Sequence, residues 1–235
     1  MTSAVTAPMT VRIEDGLTIP PDAGELAAFR RWALSDEFPE TGRIDYLQGV
    51  IEVDLSPEEI LTHGVLKSRL ATFISNVVDQ KQQGHVLIDR TRLSSGQAGL
   101  SCEPDVLFVS WEALRSGRVQ YNPASPKRPK KKMEVEGAAD LAVEVVSDGS
   151  VGKDTKRLPP LYAAAGVREL WIADARGARL RFQIFRLQKG RYVAAKPDAK
   201  GFQRSEVLDR SIRLRRSRGP VPDTWIFTVQ EASRA

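Results

Sequence analysis

Apolar and polar positions change period several times along this chain. Leu66, Leu70, Phe73 and Val77 recur at helical spacing, which predicts a helix with one face on a core. Just upstream, Ser56-Pro57-Glu58-Glu59 reads as that helix's start. Ser56 fits the N-cap, Pro57 the first turn, and Glu59 closes a capping box. Arg43 to Tyr46 and Val50 to Asp54 flank Gln48-Gly49 and predict a β-hairpin. His85 to Ile88 predicts a strand, and Arg92 to Leu100 a strand edge and a turn. Val106 to Val109 and Leu141 to Val146 are nearly continuous apolar runs, the kind found at a sheet's centre. Trp111 to Arg115 suits a helical turn. Pro159-Pro160 opens a helix through Ala165 with Gly166 as its C-cap, and Glu169 to Ala173 follows as a strand. Arg179 to Arg186 alternates, with Leu180, Phe182 and Ile184 on one face, and short strands continue to Trp225–Val229.

These elements predict one α/β domain with tails. Residues 1–24 read as a flexible N-terminal tail, with Pro20-Pro21 marking the entry and Asp22 capping a short helix through Ala33. The main domain spans 25–190, and 191–235 is a β-rich extension of it. Residues 117–137 are rich in Pro, Lys and Arg and read as a mobile excursion.

Composition narrows the classes of function. At 235 residues the chain can bury a complete core. No run approaches the ~20 apolar residues that span a bilayer. The first nine residues lack the charged and apolar regions of a secretory signal. A single cysteine, Cys102, fits a reducing cytoplasm, and one Cys with two distant His excludes a zinc-spaced cluster. The net charge is only +5, but Lys127-Arg128-Pro129-Lys130-Lys131-Lys132 and the stretch Arg204 to Arg218 concentrate positive charge. Such blocks suit a phosphate backbone, or are solvated surface.

Two segments carry the candidate chemistry. Glu103-Pro104-Asp105 runs into Val106–Val109, and Leu141–Val146 contains Glu144 and is followed by Ser147-Asp148 and Lys153-Asp154-Thr155-Lys156-Arg157. An ionised carboxylate in an apolar strand is costly unless it is paired or binds a metal. Two of them with a nearby lysine make a minimal magnesium-dependent hydrolase site. The bland alternatives are a strand-end turn residue for Asp105 and a solvent-facing strand glutamate for Glu144.

The order helix, strand, strand, strand, helix, strand around these carboxylates resembles the PD-(D/E)XK nuclease superfamily. More narrowly, it resembles the Uma-two-like family of restriction endonucleases. The resemblance rests on Tyr46 to Glu52, Ser56-Pro57 with His63, Glu103-Pro104-Asp105-Val106, Val143-Glu144-Val145-Val146-Ser147, and Tyr162 to Val167 leading into Glu169 to Asp174. It covers most of residues 25–187. It implies a restriction-endonuclease-like mixed sheet core (α-β-β-β-α-β) flanked by helices, with an N-terminal β-hairpin and C-terminal β additions. It also implies a DNA-cleaving site in which Asp105, Glu144 and the Val145 carbonyl hold Mg2+ or Mn2+.

The lysine departs from the family pattern. The superfamily position is Val146, and the Uma-two-like position, four before Tyr162, is Leu158. Lys153 and Lys156 are the two substitutes. On a helix extended back through Asp154, Lys156 would lie about 200° around the axis from Leu158. Pro159 after Leu158 disfavours a helix there, so residues 153–158 read as a loop and Lys156 is the chosen residue. The displaced lysine keeps a second function open: a degenerate nuclease-fold protein that binds nucleic acid or a protein partner without cleaving. His63 reads as a structural histidine or a supporting group, and Ser147 as a phosphate ligand or a loop cap. Tyr162 and Trp171 read as core, and Cys102 as no nucleophile. Double-strand cleavage by one site per subunit is most simply served by a homodimer.

Overall fold

The computed structural model describes residues 11–12, 17–125 and 127–232. In chain order the elements begin with β1 (Val11–Arg12), β2 (Thr18–Ile19), α1 (Leu26–Ala33), β3 (Arg43–Leu47), β4 (Val50–Asp54), a π-helical turn (Ile60–Gly64) and α2 (Val65–Gln80). Then follow β5 (Gly84–Ile88), β6 (Arg92–Ser95), β7 (Leu100–Cys102), β8 (Val106–Ser110), α3 (Trp111–Arg115), β9 (Val119–Pro123), β10 (Lys132–Gly137) and β11 (Leu141–Val145). A second π-helical turn (Lys153–Arg157) leads into α4 (Leu158–Ala164), then β12 (Glu169–Asp174), β13 (Arg181–Gln188), β14 (Arg191–Ala194), β15 (Gln203–Ser205), β16 (Arg210–Arg218) and β17 (Trp225–Glu231).

The central sheet has the order β14-β13-β12-β11-β8-β5. All of its pairs are antiparallel except β11 with β12, which are joined by the crossover through α4. The chain therefore runs α2, β5, β8, β11, α4, β12 through the central sheet, which is the predicted order. A second sheet, β4-β3-β7-β6-β10-β9, is inserted between those steps, and β15-β16-β17 form a third.

Side-chain alternation on β11 divides the core. Leu141, Val143 and Val145 face α2 (Leu66, Leu70, Ile74) and the third sheet (Ile212, Leu214, Phe227). Ala142 faces the other way, toward α4 (Leu158, Leu161, Tyr162) and the second sheet (Leu47, Leu93, Leu100). Glu144 has the parity of Ala142, so it enters this second interior. A third cluster packs Phe29 and Trp32 of α1 on Ile44 and Tyr46 of β3. Truncating a side chain such as the fully buried Leu70 would cost about 2–5 kcal/mol.

The β3–β4 hairpin turns through Gln48 and Gly49 at φ 50° and 90°, the left-handed pair that a two-residue turn requires. Gly166, at φ 80°, follows the end of α4 as expected. Four expectations change. Residues 117–137 form β9 and β10, an antiparallel pair whose Val119 and Val135 are buried, and the basic residues 127–132 of the connection and the start of β10 are exposed. Ser56 is not a cap: the helix begins at Ile60, and the Glu59 side chain accepts from the backbone N–H groups of Leu61, Thr62 and His63. Residues 153–158 are helical rather than a loop. The wide π turn lets the Leu158 N–H bond to Lys153 O, and the two prolines fall in the first turn of α4, where missing N–H groups cost least. The expected tail 1–24 falls mostly outside the described residues, but Leu17 and Ala23 are buried in the α1 cluster.

Candidate active site

Five segments converge at one end of the central sheet. Asp105 immediately precedes β8 and Glu144 is the fourth residue of β11. Arg43 and Asp45 come from β3, Lys153 and Asp154 from the π turn before α4, and His63 from the π turn before α2. Asp45, Asp105, Glu144, Lys153 and Asp154 are all buried.

Asp105 is pinned from three sides. Its Oδ2 accepts the backbone N–H of Val145 at 2.7 Å, which ties it to the end of the strand carrying Glu144. Its Oδ1 accepts Arg43 Nη2 at 2.8 Å, and His63 Nε2 lies 3.6 Å from Oδ2. Burial alone would raise its pKa, but His63 and Arg43 overcome it and hold the carboxyl well below the usual range. His63 is oriented by Glu58, 2.8 Å from its Nδ1, and Lys67 bridges Glu58 and Asp89.

Glu144 is in the opposite electrostatic state. Burial, then the charges of Asp154 and Asp105, push its pKa well above the ordinary carboxyl value. Tyr162 donates its hydroxyl to Oε1, and Tyr162 also touches the buried Cys102 thiol. Oε2 is buried without a partner. Asp154 repeats the pattern: Ser150 donates to Oδ2, Oδ1 is buried and unpartnered, and burial raises its pKa to about 6. Buried polar atoms normally find partners, so two orphaned carboxylate oxygens in one cluster call for a cation or protons.

The structure separates the two candidate lysines: Lys156 is exposed on the π turn. Lys153 is buried, with Nζ 2.9 Å from Asp45 Oδ2. Burial alone would lower its pKa, but Asp45, Glu144 and Asp154 outweigh it, so the ammonium stays charged. Asp45 also accepts the Glu103 backbone N–H at 3.0 Å, while Glu103 itself is paired with Arg92 at 2.6 Å.

The carboxylates Asp45, Asp105, Glu144 and Asp154 face Arg43, Lys153 and His63; burial alone would lower the His63 pKa, but Asp105 and Glu58 outweigh it and raise it. Among the described residues no three His, Cys, Asp or Glu side chains are drawn together as ligands.

A cleft of about 460 Å³ opens over this cluster, lined among others by Arg43, His63, Lys67, Ser147 and Ser150. A smaller cavity of about 180 Å³ adjoins it, with Arg43, Asp45 and Lys153 in its wall. Ser147 is used locally: its N–H and hydroxyl meet the Ser150 hydroxyl at 2.9 Å. The arginines of β16 are also largely committed. Arg213 bonds Gln230 and stacks on Phe202, and Arg216 caps the carbonyls of Ala175, Gly177 and Ala178 beside Trp225. No helix among the described residues is long and apolar enough to cross a membrane.

Sequence reasoning missed Arg43, Asp45 and Asp154. Asp45 shares its strand face with the buried Leu47, so a carboxylate on core-side parity was the available signal.

The architecture is similar to that of a crystal structure described as "a putative nuclease belonging to DUF820 from Anabaena variabilis". The TM-score is 0.52 at 17% identity, covering 71% of this chain and 83% of that one, a likeness of fold alone. No curated protein matches the chain. The model of the Uma2 family, described as "Putative restriction endonuclease", matches residues 26–217. That match spans most of the sequence and agrees with the restriction-endonuclease-like α/β fold, and the chain belongs to this family.

Proposed function

We propose that this protein is a divalent-metal-dependent endonuclease that hydrolyses DNA phosphodiester bonds. The observation that carries the reading is the pair of buried, unpartnered carboxylate oxygens, Glu144 Oε2 and Asp154 Oδ1, in the cluster that also holds Asp105 and Lys153. Asp105 and Glu144 would hold Mg2+ or Mn2+, with the Val145 carbonyl as a neutral ligand. A bound divalent ion supplies an activated water and offsets charge on the phosphate.

The chain's own residues do the rest. Lys153, fixed in its charged form by Asp45, is no base. It serves as a positive charge aimed at the oxygens where negative charge develops. Val145 N–H fixes the Asp105 carboxylate, and Tyr162 fixes the rotamer of Glu144, so neither has to reorganise during reaction. Arg43 and His63 line the cleft beside the acidic side chains Asp54, Glu58, Asp89 and Asp148, and Lys67 is held there by Glu58 and Asp89. A two-fold dimer would place two such sites on the two strands.

A second reading has one observation in its favour. Arg43 already neutralises Asp105, as it would in a protein that binds nucleic acid or a protein partner without cleaving. Incubation of supercoiled plasmid with Mg2+ or Mn2+ separates the two. Endonuclease action nicks or linearises it, Asp105→Asn does not, and chelator stops the wild type. Intact plasmid with both metals supports the non-cleaving reading.

A further inference from the structure

Arg43 stands where the sheets meet. It is the first residue of β3, next to Gly42, whose φ of 80° turns the chain into the strand. Its side chain lines both the larger cleft and the smaller cavity, and remains 23% exposed, so it has room to move toward solvent. Its guanidinium is bonded to Asp105 Oδ1 at 2.8 Å and lies within the field of Glu144 and Asp45.

The other Asp105 oxygen is already engaged by Val145 N–H and approached by His63. Oδ1, whose one side-chain partner is the part-exposed Arg43, is the oxygen a divalent ion would take by displacing a single group. An ion sharing Oδ1 with the guanidinium would sit roughly 4 Å from it, where like charges repel strongly in a buried site.

We propose that Arg43 is the resident counterion of the metal position: it occupies Asp105 in the metal-free protein, and a divalent ion binds by displacing it into the cleft. The inference rests on the reading that Asp105 and Glu144 hold such an ion. Once displaced, the guanidinium stands at the mouth of the cleft, where its planar fork suits a phosphate. Arg43 is thus a positioning residue whose contact with the carboxylate opposes metal binding.

Calorimetric titration of the DNA-free protein with Mn2+ tests this in wild type, Arg43→Met and Glu144→Gln. Arg43→Met should bind Mn2+ about ten- to a hundredfold more tightly than wild type, since a charge-assisted hydrogen bond no longer competes. Glu144→Gln should lose the binding. A merely structural Arg43 would leave the affinity of the variant equal or weaker. That result, with wild type still binding, overturns the role of Arg43 and leaves the metal reading standing. Absence of Mn2+ binding in both wild type and Arg43→Met removes the metal reading, and this inference with it. If Arg43→Met does not fold, the wild type decides. Its 15N-labelled arginine side-chain resonances should shift and gain solvent exchange at Arg43 on saturation with Mg2+, with Arg43→Lys used for assignment. Unchanged Arg43 resonances at saturation overturn the proposal.

Discussion

The ammonium of Lys153 lies 2.9 Å from Oδ2 of Asp45, and both residues are buried. This pair joins the π turn before α4 to β3 of the second sheet, and so ties together the two halves of the candidate site. It also decides which lysine is expected to matter.

Lys153→Ala should reduce plasmid cleavage about 10²- to 10³-fold with DNA affinity nearly unchanged, the effect of losing one preorganised charge at the transition state. Lys156→Ala should stay within a few-fold of wild type. Removing Lys153 alone also strands a buried carboxylate, at about 3–5 kcal/mol in denaturant unfolding. The double variant Lys153→Met with Asp45→Asn should recover most of that stability and none of the cleavage. Recovery of cleavage in the double variant would show that Lys153 matters only for folding.

The exposed turn between β9 and β10 carries the basic side chains that, on the proposed function, would make non-specific phosphate contacts. Replacing Lys127, Arg128, Lys130 and Lys131 by glutamine should flatten the log–log salt dependence of DNA binding by about 3–4. An unaltered slope would make the turn ordinary solvated surface. Arg213→Gln and Arg216→Gln on β16 should instead lower stability, because both side chains are bonded within the fold.

Much of the architecture is legible in the sequence because the central strands are continuous apolar runs. Leu141–Val145 and Val106–Ser110 could be little else. The hairpin at Gln48-Gly49 and the stop at Gly166 follow from backbone conformations that few residues adopt. The strands β9 and β10 are hidden by composition: prolines and lysines in the turn mask the alternation of Val119 with Tyr121 and of Met133 with Val135. The site itself is less legible. Asp105 and Glu144 stand out because each interrupts or borders an apolar strand. Arg43 and Asp45 belong to a strand of a different sheet, and nothing local announces that it lies against them. Lys153 and Lys156 lie on a π turn where a loop is expected, and only Lys153 is buried there. His63 reads from the sequence as a structural or a supporting group, and its Nε2 lies 3.6 Å from Asp105 Oδ2.

Away from the site, Arg30 binds Glu134 at 2.6 Å and Glu136 at 2.8 Å on β10. The hydrogen bond from Arg30 holds the Glu136 carboxyl down at about 2, below its usual 4.5. A depressed carboxyl contributes stability that is present above its unfolded value and is lost as pH falls through the folded one. The stability difference between wild type and Arg30→Met should therefore be largest at neutral pH and shrink as pH drops from about 4.5 toward 2. Denaturant unfolding of both proteins across that range checks it, and a difference independent of pH would contradict the assignment.

Whether Asp105 and Glu144 share one divalent ion is read from anomalous diffraction of crystals grown with Mn2+. One strong peak is expected about 2.1 Å from an oxygen of each carboxylate, with the Arg43 guanidinium no longer on Asp105 Oδ1. An empty map between the two carboxylates at saturating Mn2+, with Arg43 still bonded to Asp105, would contradict it.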